Sequence, residues 1–312
     1  MTAMNPIGDL QVSGLCLGGN VFGWTADEAE SFAVLDAYVA AGENFIDTAD
    51  AYSSWVDGHR GGESETVIGR WLARRGRRDD VVVATKVGRH PEHMGLSADT
   101  IKAAADASLR RLGVDHIDLY YTHFDDESVE VSEIITALDD LVRAGKVREI
   151  GASNISPSRL EDSLAFSTRE NKARYTALQP RYHLMSRDSY EGPLADLAAR
   201  HGLAVMPYSA LASGFLTGKY RPGAPVTSAR STAASRYLDT DRGRAVLSAL
   251  DEVAMAHNAE LSTIALAWLA ARPTITAPIA SARTPDQLPP LLKSTTLTLT
   301  EADLTTLTNA SA

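Results

Sequence analysis

Short apolar runs recur along the chain at 15–18 (LCLG), 44–47 (NFID), 81–86 (VVVATK), 117–123 (IDLYYTH), 147–153 (VREIGAS), 175–179 (YTALQ), 203–209 (LAVMPYS) and 275–281 (ITAPIAS). Their lengths and apolar content predict eight strands. Between them the apolar spacing turns helical: Phe32, Leu35 and Val39 share one face of a segment, and Ile134, Leu138 and Leu141 share another. Thr25 with Glu28 and Thr284 with Gln287 have capping-box spacing, and Ser156-Pro157 and Thr284-Pro285 put a proline at a first helical position. Strand-helix repetition of this kind requires parallel strands with right-handed crossovers. Eight repeats predict an α/β fold, a (β/α)8 TIM barrel, as a single domain over 1–312, since no Pro/Gly/Ser-rich linker divides the pattern. The one long irregular stretch, 210–240, is polar with Gly, Pro and Ser and begins where the seventh strand ends. A loop of that length in a compact domain is usually functional.

A parallel barrel gathers the residues that follow each strand at one mouth. Asp47 ends the second run, Tyr52 lies just beyond it, Lys86 ends the third and His123 the fourth. Each alone has a bland explanation, as a turn cap, a rim phenol, a solvated ammonium or a packed imidazole. Together they make a proton-donating set. A free phenol has a pKa of about 10, and an adjacent ammonium stabilises the phenolate and lowers that value. Lys86 supplies such a charge, Asp47 keeps it protonated and aimed, and a neutral His123 donates a ring N–H to a carbonyl oxygen. The set fits protonation of an oxygen while a nucleophile attacks the carbonyl carbon. A Schiff-base role for Lys86 is disfavoured, because a neighbouring Asp47 raises its pKa where that chemistry needs it depressed. No metal site is expected: His90 and His93 in RHPEHM are interrupted by proline, have no evident third ligand, and read as surface residues.

Composition narrows the partners. The 312 residues are 44% hydrophobic and 22% charged, with a net charge of −10 and a pI near 5.3. Such a balance opposes a broad nucleic-acid or anionic-membrane footprint, so an anionic ligand needs a local basic pocket. Cys16, the single cysteine, reads as a small apolar filler in a reducing compartment. The start of the chain has neither a basic segment nor an apolar core of a signal peptide, and no run of about 18 apolar residues occurs. A cytoplasmic protein, monomeric or weakly homo-oligomeric, is expected.

The motifs NFIDTADAY, VVATKVG, DLYYTH, GASN, ALQPRY, PYSALASGFLTGKY and PIASARTPDQL resemble the aldo-keto reductases in order and strand position. The likeness runs from about residue 12 to about 300 and is similar in kind to the bacterial, potassium-channel β-subunit-like branch. It implies an NADPH-dependent reductase of aldehydes or ketones, of the alcohol-dehydrogenase type, with Asp47, Tyr52, Lys86 and His123 as catalytic tetrad and Tyr52 as general acid. Relatives that reduce carbon-carbon double bonds resemble this chain except for a glutamate at the His123 position, so retained His123 implies carbonyl chemistry. The resemblance also implies NADPH extended across the mouth: Ser153, Asn154 and Gln179 at the carboxamide, and Tyr208 stacked on the nicotinamide. It assigns Ser209, Leu211, Ser213 and Lys219 to the pyrophosphate, with the 210–240 loop over the cofactor, and Ser281, Arg283 and Gln287 to the 2′-phosphate and adenine.

No two glycines are separated by one residue, so a G-x-G-x-x-G fingerprint does not occur, and GFLTGKY lacks P-loop spacing and its Ser or Thr. The chain departs from the family pattern at Pro290 and Leu291, where relatives carry an acidic residue and asparagine against the adenine amine. NADPH preference then rests on Arg283, helped by Arg230. Glu43 replaces an apolar residue of relatives and is expected to face outward. Trp24, Trp55, Phe124 and the segment after Lys86 are the candidate substrate rim, and aromatic rims suit a ring-bearing or largely apolar carbonyl compound. Potassium-channel β subunits resemble the same barrel, bind NADPH and serve as redox-reporting partners, which is the alternative function. It needs a partner surface, and no long extra N-terminal segment or large apolar stretch is evident for one.

Overall fold

The computed structural model describes residues 4–221, 223 and 231–312. The chain opens with an antiparallel hairpin, β1 (Met4–Ile7) and β2 (Leu10–Ser13). β3 (Cys16–Gly18), β4 (Phe45–Asp47) and β5 (Val82–Val87) follow, then a second hairpin of β6 (Arg89–His90) and β7 (His93–Met94). β8 (Ile117–Thr122), β9 (Val147–Ser153), β10 (Tyr175–Gln179), β11 (Ala204–Val205) and β12 (Ile279–Ala280) complete the set. The eight strands β3, β4, β5, β8, β9, β10, β11 and β12 pair in parallel in the order β11-β10-β9-β8-β5-β4-β3-β12. Closure comes from the segment before β12: Ile275 bridges to Val205, while Cys16 N donates to Pro278 O. Each of the eight predicted runs contributes one of these strands: 147–153 and 175–179 match in full, 81–86 is shifted by one residue to Val82–Val87, and the others are shortened at their ends. The curled parallel sheet with its outer helices is the (β/α)8 barrel.

Period-two alternation sorts the strand side chains into two cores. Ile46, Val83, Tyr120 and Leu178 pack outward against the helices, whereas Phe45, Val82, Ala84, Leu119, Tyr121 and Ala177 fill the barrel. The same inward rows that begin with Phe45, Val82 and Leu119 end in Asp47, Lys86 and His123. Ile7, Leu10 and Val12 of the first hairpin join the inner core, so β1 and β2 plug the end opposite the mouth. Gly151 is dictated by this filling, because a Cβ there would sit 2.5 Å from the Tyr121 ring.

Several expectations are revised. The first long helix, Glu28–Ala40, is capped by Asp27 with Glu30, not by Thr25 with Glu28. Thr25 is drawn into the preceding turn, its N–H donating to Val21 O. Ser156 caps Pro157–Arg169 as expected. Thr284 precedes a short 3-10 turn without a side-chain cap, and Gln287 Oε1 accepts from Arg283 N instead. Glu43 is buried, not outward, because the neighbouring Asn44 is tied down by the hairpin through Ser13 N and Gln11 O. His90 is buried as well, since its ring packs beside Gly61. The 210–240 stretch contains helical turns at Ala212–Thr217 and Ser231–Ser235, while Arg230 lies outside the described residues.

Candidate active site

At the mouth, the fully buried Lys86 ammonium has three acceptors: Asp47 Oδ2 at 2.6 Å, Thr48 O at 2.6 Å and Tyr52 Oη at 3.1 Å. Three acceptors match its three protons, which is how a buried cation is tolerated. Asp47 is held on its other oxygen by Gln179 Nε2 at 2.8 Å. The Tyr52 hydroxyl reaches Asp47 Oδ2 only at 3.4 Å, so its proton is loosely held and free to turn to another acceptor. The His123 ring stands edge-on to Tyr52 with centroids 6.1 Å apart, and its buried Nδ1 has no hydrogen-bond partner among the described residues. Its backbone is pinned by His123 N donating to Val87 O and by Asn154 Nδ2 donating to His123 O.

The electrostatics follow from this packing. Burial opposes the Lys86 charge, but Asp47 and then Tyr52 outweigh it and hold the ammonium above the usual lysine range. Burial also depresses His123 well below the ordinary histidine value, with Lys86 and Arg89 adding to the effect, so the ring is neutral at physiological pH. For Tyr52 the expected lowering is reversed. Burial pushes the phenol up to about 12, because the downward pull of Lys86 is partly cancelled by Asp47. Such a phenol stays protonated at rest, yet it still transfers its proton downhill to an alkoxide, a much stronger base.

Next to the tetrad lies a second hydrogen-bonded chain. Ser153 Oγ donates to Gln179 O, Asn154 Nδ2 to Ser153 Oγ, and Tyr208 Oη to Asn154 Oδ1 at 2.7 Å. Beyond Tyr208 the backbone enters the left-handed region at Ser209, Ala212 and Ser213, all non-glycine residues. Strain of this kind persists where surrounding structure imposes it, and it clusters at ligand clamps. Leu211 is half-buried within this turn. Lys219, over the Tyr220 ring at 5.0 Å, and exposed Arg283 make no ion pair among the described residues. Ser281 Oγ donates to Asn20 Oδ1, close enough to Gly18 that a Cβ there would lie 2.7 Å from the hydroxyl. Two uncommitted cations, an amide-rich row and a strained turn fit a phosphate-bearing dinucleotide in their donor chemistry. Leu291 is buried and Pro290 O accepts from Thr263, so neither presents a polar group to an adenine amine.

The rim residues gather on the other flank. Trp24 and Trp55 meet edge to face with centroids 5.4 Å apart, and Trp55 stands 6.1 Å from Tyr52. Phe124 packs on Gly88 and carries the Arg89 guanidinium 5.2 Å above its ring.

Behind the tetrad is a buried cluster that the sequence pattern did not reveal. Glu65 accepts from Thr85 Oγ1 at 2.5 Å and from Arg111 Nε at 2.6 Å. Asp50, three residues after Asp47, is buried beside them, and desolvation followed by the Glu65 charge pushes its carboxyl up to about 8. Its signal in the sequence was only an extra carboxylate in TADAY. The Gln179–Asp47 bond joins residues 132 apart and had no local signal at all.

Comparison with known proteins identifies the family. The family described as the Aldo/keto reductase family matches residues 14–312. Protein tas of Escherichia coli (strain K12) is 32% identical over 95% of this chain and 93% of its own length. The uncharacterized oxidoreductase YrpG of Bacillus subtilis (strain 168) is 35% identical over 93% of this chain and 89% of its own. A probable voltage-gated potassium channel subunit beta of Oryza sativa subsp. japonica is 32% identical over 89% of this chain and 86% of its own. Among the described residues no helix is long and apolar enough to cross a membrane. With a parallel barrel, a buried lysine-carboxylate-phenol set at its mouth and a family match over nearly its whole length, the chain belongs to the aldo/keto reductase family of oxidoreductases.

Proposed function

We propose that this chain reduces an aldehyde or ketone to the alcohol, with NADPH as reductant and Tyr52 as general acid. The observation that carries the reading is the Lys86 ammonium, which touches both Asp47 and the Tyr52 hydroxyl inside the barrel mouth. Bound NADPH would supply a hydride to the carbonyl carbon. Ser153, Asn154, Gln179 and Tyr208 would hold its nicotinamide end, Ser209, Leu211, Ser213 and Lys219 its pyrophosphate, and Ser281, Arg283 and Gln287 its 2′-phosphate and adenine. Gln179 would do so through Oε1, since its Nε2 is bonded to Asp47.

The chain's own residues handle the oxygen. Neutral His123 donates a ring N–H to the carbonyl oxygen and orients it. As negative charge develops there, the Tyr52 Oη–H bond breaks and the proton moves to that oxygen. The phenolate left behind is stabilised by Lys86 Nζ at 3.1 Å, and Asp47 keeps that ammonium charged and aimed. Burial favours each of these interactions by excluding competing water.

NADPH oxidation measured across a panel of aliphatic, aromatic and sugar carbonyls tests the reading. The parent should turn over at least one class, and Tyr52→Phe should lower kcat/KM by roughly 10²- to 10⁴-fold with little change in NADPH affinity. Near-parental turnover in Tyr52→Phe would make Tyr52 a rim residue and refute the assignment. The likeness to a potassium channel subunit beta supports a second reading, an NADPH-binding redox reporter. Tight NADPH binding with negligible turnover on every carbonyl would favour it.

A further inference from the structure

Arg89 stands out among the cations of the mouth. It is exposed on the short β6–β7 hairpin, lies over the Phe124 ring, and makes no ion pair among the described residues. The carboxylates of the adjoining loop do not neutralise it. Asp125 is paired with Arg159 at 3.0 Å, and Asp126 accepts from Leu96 N and from Ser128 Oγ. In a chain of net charge −10, a cation left without a carboxylate beside a catalytic histidine needs an explanation. Its place at the mouth follows from geometry: the guanidinium carbon lies 5.2 Å from the centroid of Phe124, the residue next to His123.

Two contacts at Gly88 fix the backbone just before Arg89. Gly95 N donates to Gly88 O, and Phe124 packs so tightly on Gly88 that a Cβ would lie 2.8 Å from the ring. The rest of this flank of the mouth is aromatic. Trp24, Trp55, Tyr52 and His123 form a row with successive centroids 5.4, 6.1 and 6.1 Å apart, and Phe124 follows His123 in sequence. Trp55 leaves 53% of its surface to solvent, an unusual exposure for so large an apolar side chain at a functional mouth. A row of rings ending in a free guanidinium is complementary to a planar arene that bears an anion.

Resting on the carbonyl-reductase reading, we propose that the substrate is an aromatic aldehyde or ketone carrying a carboxylate, with Arg89 binding that carboxylate while the ring lies along the aromatic row. The guanidinium fork suits a carboxylate better than a lone hydroxyl, and beyond its place over the Phe124 ring no ion pair occupies it among the described residues. Lys219 and Arg283 stand apart from this role, on the segments that follow β11 and β12.

The test pairs binding with kinetics. In the full chain without nucleotide, benzoate and benzyl alcohol are titrated by quenching of tryptophan fluorescence, in the parent, Arg89→Met and Arg283→Ala. Benzoate should bind at least about ten-fold more tightly than benzyl alcohol, and Arg89→Met should abolish that preference while Arg283→Ala keeps it. Equal affinities in the parent overturn the proposal. So does a preference that survives Arg89→Met, or one lost in Arg283→Ala alone, which would assign the anion to the nucleotide-phosphate region. In the kinetic arm, the kcat/KM ratio of 4-formylbenzoate to benzaldehyde should fall about ten-fold in Arg89→Met and recover partly in Arg89→Lys. If NADPH reduces neither aldehyde but reduces another carbonyl class, the aromatic substrate assignment is overturned and the carbonyl-reductase reading stands. If no carbonyl is reduced, that reading fails on its own, and the binding arm still decides the role of Arg89.

Discussion

At the scale of single residues, Lys86 concentrates the physics of the site. A fully buried ammonium keeps its proton only because Asp47, Thr48 and Tyr52 each accept one of its hydrogens. Lys86→Met should therefore damage two properties at once. Reduction should fall by at least about 10²-fold, because the Tyr52 phenolate loses its stabilising charge. Stability should fall by about 3–5 kcal/mol, because Asp47 is left buried without its counter-ion. Tyr52→Phe removes only a hydroxyl and should cost far less stability. The double variant should be little slower than the slower single variant, since both changes disable one proton-donating unit. Kinetics and urea denaturation on the four proteins check this, and additive rate losses would separate the two roles. His123 sharpens the pH expectation: its depressed pKa keeps the ring neutral, so reduction should show no inflection near the ordinary histidine value of about 6.5. That Asp47, Lys86 and His123 meet at the mouth was legible in the sequence from their places at run ends, and Tyr52 from the loop just beyond one. The sign of the Tyr52 shift was not, because it depends on how burial at the mouth weighs against the opposed effects of Lys86 and Asp47.

At the scale of elements, the site is braced from behind by a cluster that joins β5 to two helices. Thr85 on β5, Glu65 on the helix Glu63–Arg75 and Arg111 on the helix Ala98–Leu112 are linked by two short hydrogen bonds, and the buried Asp50 carboxyl adjoins them. Arg111→Met should destabilise the protein by about 3–5 kcal/mol, since Glu65 would be left buried and uncompensated. Asp50 gives the sign of a pH effect. Its folded pKa, about 8, lies above the unfolded value of about 3.9, so the folded state binds the extra proton between them. That contribution is fully present below about pH 4 and is lost as pH rises through about 8. Asp50→Asn should flatten the decline, and denaturation midpoints at pH 5, 7 and 9 measure it. A decline unchanged in Asp50→Asn would assign the effect elsewhere. Strand and helix positions were readable from periodicity, but the Asp27–Glu30 cap was missed by two residues because Thr25 offered the same spacing. Local spacing nominates a cap, and the turn geometry from Val21 to Ala26 selects it.

At the scale of the whole molecule, an acidic chain presents Arg89, Lys219 and Arg283 without ion pairs among its described residues. If Arg283 pairs with a 2′-phosphate, NADPH should bind more tightly than NADH, and Arg283→Ala should narrow that difference by about ten-fold or more. Fluorescence titration of both nucleotides tests this, with equal parental affinities as the contrary result. The barrel itself was written in the one-dimensional pattern. Eight apolar runs of strand length separated by helical spacing admit few topologies once crossovers must be right-handed, and alternation along each run then sends Asp47, Lys86 and His123 inward at one end. What tertiary structure alone decided are the contacts made across the closed ring: Gln179 on Asp47, the hairpin of β1 and β2 plugging the far end, the burial of Glu43 and His90, and the protonation of Asp50. Periodicity is a property of neighbours along the chain and is visible in it. Desolvation and partner choice depend on which distant segments come to lie within a few ångströms, and no local pattern encodes that distance.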